Sequence, residues 1–360
     1  MAIASNTDEA LSAILGQFKI PEDNYTFQAM TSGLINDTFL VSNAVRPIYV
    51  LQRINHVVFE NVSGLMGNFQ NALHHLRGSD YTQLDLVPTK EGGSYYERKD
   101  EPISYWRLIG FLENTRTYDT APNEEVAFEA GRIIGKFHVL LQKADPSQYI
   151  ETIPRFHELE LRSDQFFEAL GSASSDQLKM AGNAISFAKE TFGKLLTMQV
   201  NDLPIRVCHN DTKLNNILFS ETTQKALCLI DLDTLMCGRF SYDFGDAVRT
   251  IANTASEDEE DHSKINFQKP LFKALVMGLA SNGAFLSDKE IQSLASGAVL
   301  MPFLHGLRAL TDYLNNNKYY KVSYENQNLD RSASLFAFTE KALDHLVYMK
   351  EVTRENLVSL

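Results

Sequence analysis

Residues 207–219 read VCHNDTKLNNILF, and residues 229–234 read LIDLDT. Each stretch places acids and amides at the ends of a short apolar run of strand character, so they collect at strand ends. Asp211 and Asn216 stand five residues apart across a tight loop, and Asp231 closes the next strand of the hairpin these runs predict. Three oxygen donors on two adjacent strand ends can therefore meet at one point. Turn chemistry is the competing account, because Asn and Asp are common wherever strands end. A lone Asn-Asp or Asp-Leu-Asp would be read that way. Here spacing, strand context and a second carboxylate agree.

Oxygen donors without thiolate or imidazole favour a hard cation such as Mg2+ over zinc. A Mg2+ held by one or two protein groups takes its other ligands from water and phosphate oxygens. His-x-Asp-x4-Asn, followed by Asp after an apolar strand, is an arrangement used for phosphoryl transfer. One Asp aligns a hydroxyl and accepts its proton, while the Asn and the second Asp hold metal.

Outward from this island the chain has two characters. Residues 25–113 alternate β-type runs with turns (YTFQAM, DTFLV, IYVLQRI, SYYER, ISYWRLIGFL), interrupted by one helical stretch at Asn61–Arg77. Beyond Glu113 apolar residues recur every three to four positions, as in Val126, Ala130, Ile133, Phe137 and Leu140. Strands mostly first and helices mostly later predict an α+β chain of two lobes, 1–113 and 114–360, sharing one cleft. The acidic run Glu257–Asp261 reads as a solvated loop or helix start.

Of 360 residues, 33 are basic and 46 acidic, a formal charge of −13 that argues against coating nucleic acid or an anionic membrane. The apolar runs Ala274–Ala280 and Gly297–Leu304 are too short to span a bilayer. The N-terminus lacks a basic region before its first acids, and three cysteines form no CxxC pair. Both features lead us to expect a cytoplasmic protein. Nothing in the sequence indicates an oligomeric state.

Together with GLINDTFLV, YVLQRIN, WRLIGFLE, FGDAVR and LRALTDYLNNNKYY, the strings HNDTKLNNIL and IDLDT make the chain resemble the aminoglycoside phosphotransferase and choline kinase superfamily. Within it, the bacterial N-acetylhexosamine 1-kinases look closer. The resemblance implies a protein-kinase-like fold, with a small antiparallel-sheet N-terminal lobe and a larger helical C-terminal lobe. It implies Asp211 as catalytic base, His209 as its structural companion, and Asn216 and Asp231 as Mg2+ ligands, with a weaker claim for Asp233. It implies ATP between the lobes under a loop at Gly33, near Gln52, with adenine on the strand at Ile109 and Phe111. A sugar would meet Asn36, Arg308 and Tyr319.

One departure stands out. Protein kinases place a Lys on the strand after the phosphate loop and pair it with a Glu on the next helix. Here Gln52 takes the Lys position, and the helix carries no acid. The expectation is a neutral substitute formed by Gln52, alone or with Gln70, with Mg2+ carrying most phosphate neutralisation. Two alternatives stay open: a kinase for another small hydroxyl compound, and a non-catalytic module binding nucleotide or sugar.

Overall fold

The computed structural model describes residues 8–30, 35–200 and 202–358. The first half is built on β1 (Thr26–Met30), β2 (Asp37–Ser42), β3 (Pro47–Ile54), β4 (Leu86–Val87), β5 (Tyr96–Arg98) and β6 (Ser104–Gly110). Their order is β1-β2-β3-β6-β4, with β5 also paired to β6 and every pair antiparallel. Helix α1 (Asp8–Leu15) precedes the sheet, and α2 (Val62–His75) follows β3.

Alternation along these strands gives the sheet two distinct faces. Leu51 of β3 with Trp106 and Leu108 of β6 packs on Leu11, Ile14 and Leu15 of α1. The residues between them, Gln52 and Arg107, turn to the opposite face and are register partners across β3 and β6. Strands and α2 form where the sequence periodicity predicts them. The two-residue β4 carries no periodicity of its own and was not predicted, and neither was the short α1.

The second half contains β7 (Thr115–Arg116), α3 (Glu124–Leu141), α4 (Leu159–Ser172), α5 (Ser175–Met180) and α6 (Gly182–Met198). The non-helical island follows as β8 (Arg206–Cys208), β9 (Ile217–Ser220), β10 (Ala226–Leu229) and β11 (Met236–Gly238). Helices α7 (Phe240–Ile251), α8 (Lys269–Ala280), α9 (Asp288–Leu314), α10 (Gln327–Asp344) and α11 (Leu346–Leu357) complete the chain. β9 and β10 form the expected hairpin, β7 adds to it, and β8 pairs with β11. The main core runs from Phe69 and Leu73 of α2 through α3, α7, α8 and α9. Among the described helices α9 alone is long and apolar enough to cross a membrane. Yet 72% of its apolar window is buried inside the protein, which is the pattern of a central core helix.

Candidate active site

The segment His209–Asn210 is held from behind by one buried carboxylate. Asp243 of α7 accepts the His209 N–H at 2.9 Å and the Asn210 N–H at 2.7 Å, and its Oδ2 also meets His138 Nε2 at 2.8 Å. Asn210 takes a left-handed backbone, φ 61°, and its amide donates to the carbonyls of Cys208, Thr234 and Met236. This tolerance of the left-handed region is a property of Asn. His209 is fully buried: its Nε2–H donates to Ile230 O at 2.9 Å, and its Nδ1 accepts the Asp211 N–H at 3.2 Å. It thus positions Asp211 rather than facing the cleft. His138, Cys208 and Asp243 are the one cluster of His, Cys and acidic ligand atoms among the described residues. All three are buried, and Asp243 is already saturated with hydrogen bonds, so the cluster serves as this brace.

Asp211 projects forward from the braced loop. Its Oδ2 accepts the Asn216 amide at 2.8 Å and lies 3.3 Å from Lys213 Nζ. Burial works against its ionisation and Asp246 adds to that, but Lys213, Arg249 and His209 more than offset both, so the carboxyl lies below its usual range. It is ionised at neutral pH. The Ile230 N–H donates to Asn216 O at 2.9 Å, which sets Asn216 beside the turn that carries Asp231.

Asp231 opens onto the cleft in a left-handed conformation, φ 61° and ψ 57°. Enclosure by protein, then the carboxylates of Asp233 and Asp211, push its carboxyl up to about 6. Negative charge is therefore in local excess at a set of hard oxygen donors. The Asn216 amide spends its nitrogen on Asp211 and leaves its oxygen available. Asn216 and Asp231 fit a divalent cation of the Mg2+ type.

Asp233 does not join them. Its Oδ1 forms a buried ion pair with Arg107, and its Oδ2 accepts the Asn36 amide at 2.6 Å. Both oxygens are committed, which corrects the expectation of a metal ligand. Asn36 is bonded through both ends of its amide, because its Oδ1 accepts the Asn55 N–H at 2.9 Å. Its side chain lines the cavity and ties β2 to the Asp231 turn, which leaves one of its two amide N–H donors beyond these bonds.

Gln52, the expected neutral substitute for the missing lysine, lines the cavity and is tied to a buried cation behind it. Gln52 Oε1 accepts from Arg107 Nε at 2.9 Å, and its nitrogen donates to Thr38 Oγ1 at 3.2 Å. That cation comes from β6, not from β3. Gln70 is exposed on the outer side of α2 and takes no part. Phe111 spends its N–H on Ile48 O at 2.7 Å, and Ile109 is laddered between Val50 and Leu86. Neither lines the cavity described next. Gly33 lies outside the described residues.

A cavity of about 120 Å³ gathers Gln52, Asn36, Asp211, Lys213, Asp231, Asp233, Arg308 and Tyr319. A larger cleft of about 600 Å³ opens behind the loop, against Tyr242, Met198 and Leu300, but it lacks this carboxylate set. We place the chemistry in the smaller one. Arg308 lies over three rings there, with its Cζ 4.5 Å from the centroid of Phe156, 5.7 Å from Tyr319 and 5.9 Å from Tyr320. Asp312, one turn further along α9, accepts the N–H groups of Tyr319 and Tyr320 at 2.8 and 2.9 Å and so fixes the turn that presents both rings.

Several lining residues escaped the sequence reading. Lys213 sits inside the quoted motif and could have been found by its spacing from Asp211. Glu257 and Asp258 correct the solvated acidic run: Glu257 pairs with buried Arg249 and lines the cavity, and Asp258 pairs with Arg331. Despite burial, Arg249 draws the Glu257 carboxyl down to about 2. His305 lines the same wall, 3.2 Å from Asp246 Oδ1.

His157 donates from Nε2 to the Asn210 carbonyl at 3.1 Å. Burial, then His305 and Arg308, hold its pKa down at about 3, against 6.5 ordinarily. The unfolded chain thus binds a proton below 6.5 that the folded chain refuses until about 3. Folding stability falls as pH drops through that window, by about 1.4 kcal/mol per pH unit from this residue. Replacing His157 by Gln is expected to shrink the difference in urea-unfolding free energy between pH 7 and pH 5 by about 2 kcal/mol. An unchanged difference would show that His157 is protonated in the fold.

The sequence profile described as "Phosphotransferase enzyme family" matches residues 26–267. Among solved structures, a microcompartment-associated aminopropanol kinase superimposes with a TM-score of 0.62 at 16% identity, covering 94% of this chain and 98% of that one. An aminoglycoside phosphotransferase from Alicyclobacillus acidocaldarius gives 0.61 at 13% identity, covering 96% of each chain. An amicoumacin kinase, solved with AMP-PNP and Ca2+, gives 0.58 at 15% identity, covering 93% of this chain and 92% of that one. These likenesses show the α+β, protein-kinase-like fold. With the family profile spanning both the sheet and the loop that carries Asp211, Asn216 and Asp231, the chain belongs to the phosphotransferase enzyme family.

Proposed function

We propose that the protein is an ATP- and Mg2+-dependent kinase of a small hydroxyl compound, and that its acceptor is the anomeric hydroxyl of an N-acetylhexosamine. The observation that carries the acceptor reading is Arg308. Among the described residues it has no carboxylate partner, and it sits in the same cavity as Asp211, faced by Phe156, Tyr319 and Tyr320. Aromatic faces suit the C–H surface of a sugar ring, and a guanidinium offers five donors to its hydroxyl and acyl oxygens. A cationic amino alcohol or aminoglycoside would meet the Arg308 charge on one side of the cavity and the carboxylates of Asp211 and Asp231 on the other. The amicoumacin kinase solved with AMP-PNP and Ca2+ supports nucleotide and divalent metal as co-substrates for this fold.

In this reading residues 1–113 form the nucleotide lobe and residues 114–360 the catalytic and acceptor lobe. Asp211 aligns the acceptor hydroxyl and takes its proton as the new O–P bond forms and the bond to the β–γ bridging oxygen breaks, leaving ADP. The anomeric hydroxyl is more acidic than an ordinary alcohol, so a carboxylate with a low pKa suffices. Lys213, beside Asp211, offers its ammonium to the transferred phosphoryl oxygens. Mg2+, when bound by Asn216 and Asp231, would neutralise charge on the ATP phosphates. A cytoplasmic location belongs to the same proposal and suits three free cysteines, two of them buried.

The test is to incubate the purified protein with Mg-ATP and a panel of free sugars and amino alcohols, and to read by NMR which oxygen gains phosphate. Phosphate on the anomeric oxygen of GlcNAc or GalNAc is expected. Transfer to any other oxygen, or to amino alcohols alone, would refute the 1-kinase reading and leave only the broader one.

A further inference from the structure

Arg107 occupies the middle of the central strand β6 with its side chain 1% exposed. A buried guanidinium is costly unless every side of it is engaged. Here Nε donates to Gln52 of β3 at 2.9 Å, a terminal nitrogen pairs with Asp233, and the cation lies 5.3 Å from the Phe69 ring centroid of α2. Asp233 takes its second bond from Asn36 just before β2. Arg107 of β6 and Asn36 before β2 thus converge on one carboxylate of the second half, with Gln52 of β3 and Phe69 of α2 set around the guanidinium.

That carboxylate belongs to the short turn Leu232–Thr234, which is entered through the left-handed Asp231. Leu232 and Asp233 are buried while Asp231 faces the cleft, so anchoring Asp233 determines where the Asp231 carboxylate points. Arg107 itself does not line the cavity. It acts on the cavity through Asp233 and Gln52, which do line it, and through its charge, which is felt at Asp231.

We propose that Arg107 is the positioning residue for Asp231. The Arg107–Asp233 pair takes the place of the lysine and glutamate pair this chain lacks, but it ties the sheet to the metal-holding turn instead of to α2. The inference rests on the reading of Asp231 as a metal ligand. Partners that orient metal ligands typically alter metal affinity by about 10- to 100-fold when removed.

The test uses the full chain with AMP-PNP and Mn2+, binding being followed by the EPR signal of free Mn2+. The double variant Arg107→Met/Asp233→Leu removes both charges together, an exchange that buried ion pairs often tolerate without loss of stability. It is expected to keep the wild-type circular dichroism spectrum while binding Mn2+ at least about tenfold more weakly, with sugar affinity in the absence of nucleotide within about twofold of wild type. Asp233→Asn, which keeps the shape of the turn, is the second variant and is expected to show the same tenfold loss. Wild-type Mn2+ affinity in either folded variant overturns the positioning role. A wild-type protein that binds no Mn2+ with AMP-PNP overturns the metal reading beneath it.

Discussion

Asp211→Asn is expected to lower phosphoryl transfer by about a thousandfold or more, while nucleotide affinity stays within about twofold of wild type. The asymmetry follows from where the carboxylate sits. Its Oδ2 accepts the Asn216 amide at 2.8 Å, and Lys213 Nζ stands 3.3 Å away. An amide in its place can still accept from Asn216 through its oxygen. That oxygen also stays beside Lys213, the amide nitrogen takes the place of Oδ1, and no group remains to receive the acceptor proton. Asn216 and Asp231 keep their own backbone supports, because the bond from the Ile230 N–H to Asn216 O and the left-handed turn at Asp231 do not involve the Asp211 side chain. Steady-state kcat beside thermal shifts with Mg-AMP-PNP would separate the two effects. A variant that turns over at a near-normal rate would remove Asp211 from the chemistry, whatever its effect on stability.

What the sequence made legible was local. His209, Asp211 and Asn216 lie within eight residues, and Asp231 ends the strand that pairs with theirs, so a hairpin reading was enough to bring them together. The sheet could be read because Leu51, Trp106 and Leu108 alternate with residues of another character. Arg107 was invisible to the same reasoning. Its place between Trp106 and Leu108 puts it on the opposite face, but nothing nearby in sequence says that Asp233, 126 residues away, waits there. The loss of the kinase lysine was read as a loss of charge, and sequence could not show that a buried cation on β6 stands behind Gln52. Glu257 was misread for a related reason: a run of acids looks solvated until the buried Arg249 that one of them neutralises is placed in space. The bond between Asn36 and Asp233 was hidden in the same way, because it crosses 197 residues of chain.

The crossing of α7 and α9 leads to the second large effect. Gly245 and Gly297 meet there so closely that a Cβ at Gly245 would lie 2.1 Å from Gly297 O, and one at Gly297 would lie 2.2 Å from Ser241 O. The obstacle is backbone in both cases and cannot be moved aside by a rotamer change. Gly297→Ala is therefore expected to destabilise the fold by about 3 kcal/mol or more, lowering the melting temperature by roughly 10 °C. Gly67→Ala is the control, since a Cβ there meets nothing within 4 Å and a helix interior gains up to about 1 kcal/mol from losing glycine. The two helices also carry the two halves of the site. α7 bears Asp243, which braces His209 and Asn210, and α9 bears Arg308 and Asp312, which build the acceptor wall. Spreading the crossing by even an ångström moves the catalytic loop away from that wall, so Gly297→Ala should also reduce kcat/KM at temperatures where it remains folded, through the acceptor and not through ATP. If Gly297→Ala melts like Gly67→Ala and keeps the wild-type kcat/KM, the close approach does not set the spacing between brace and acceptor wall.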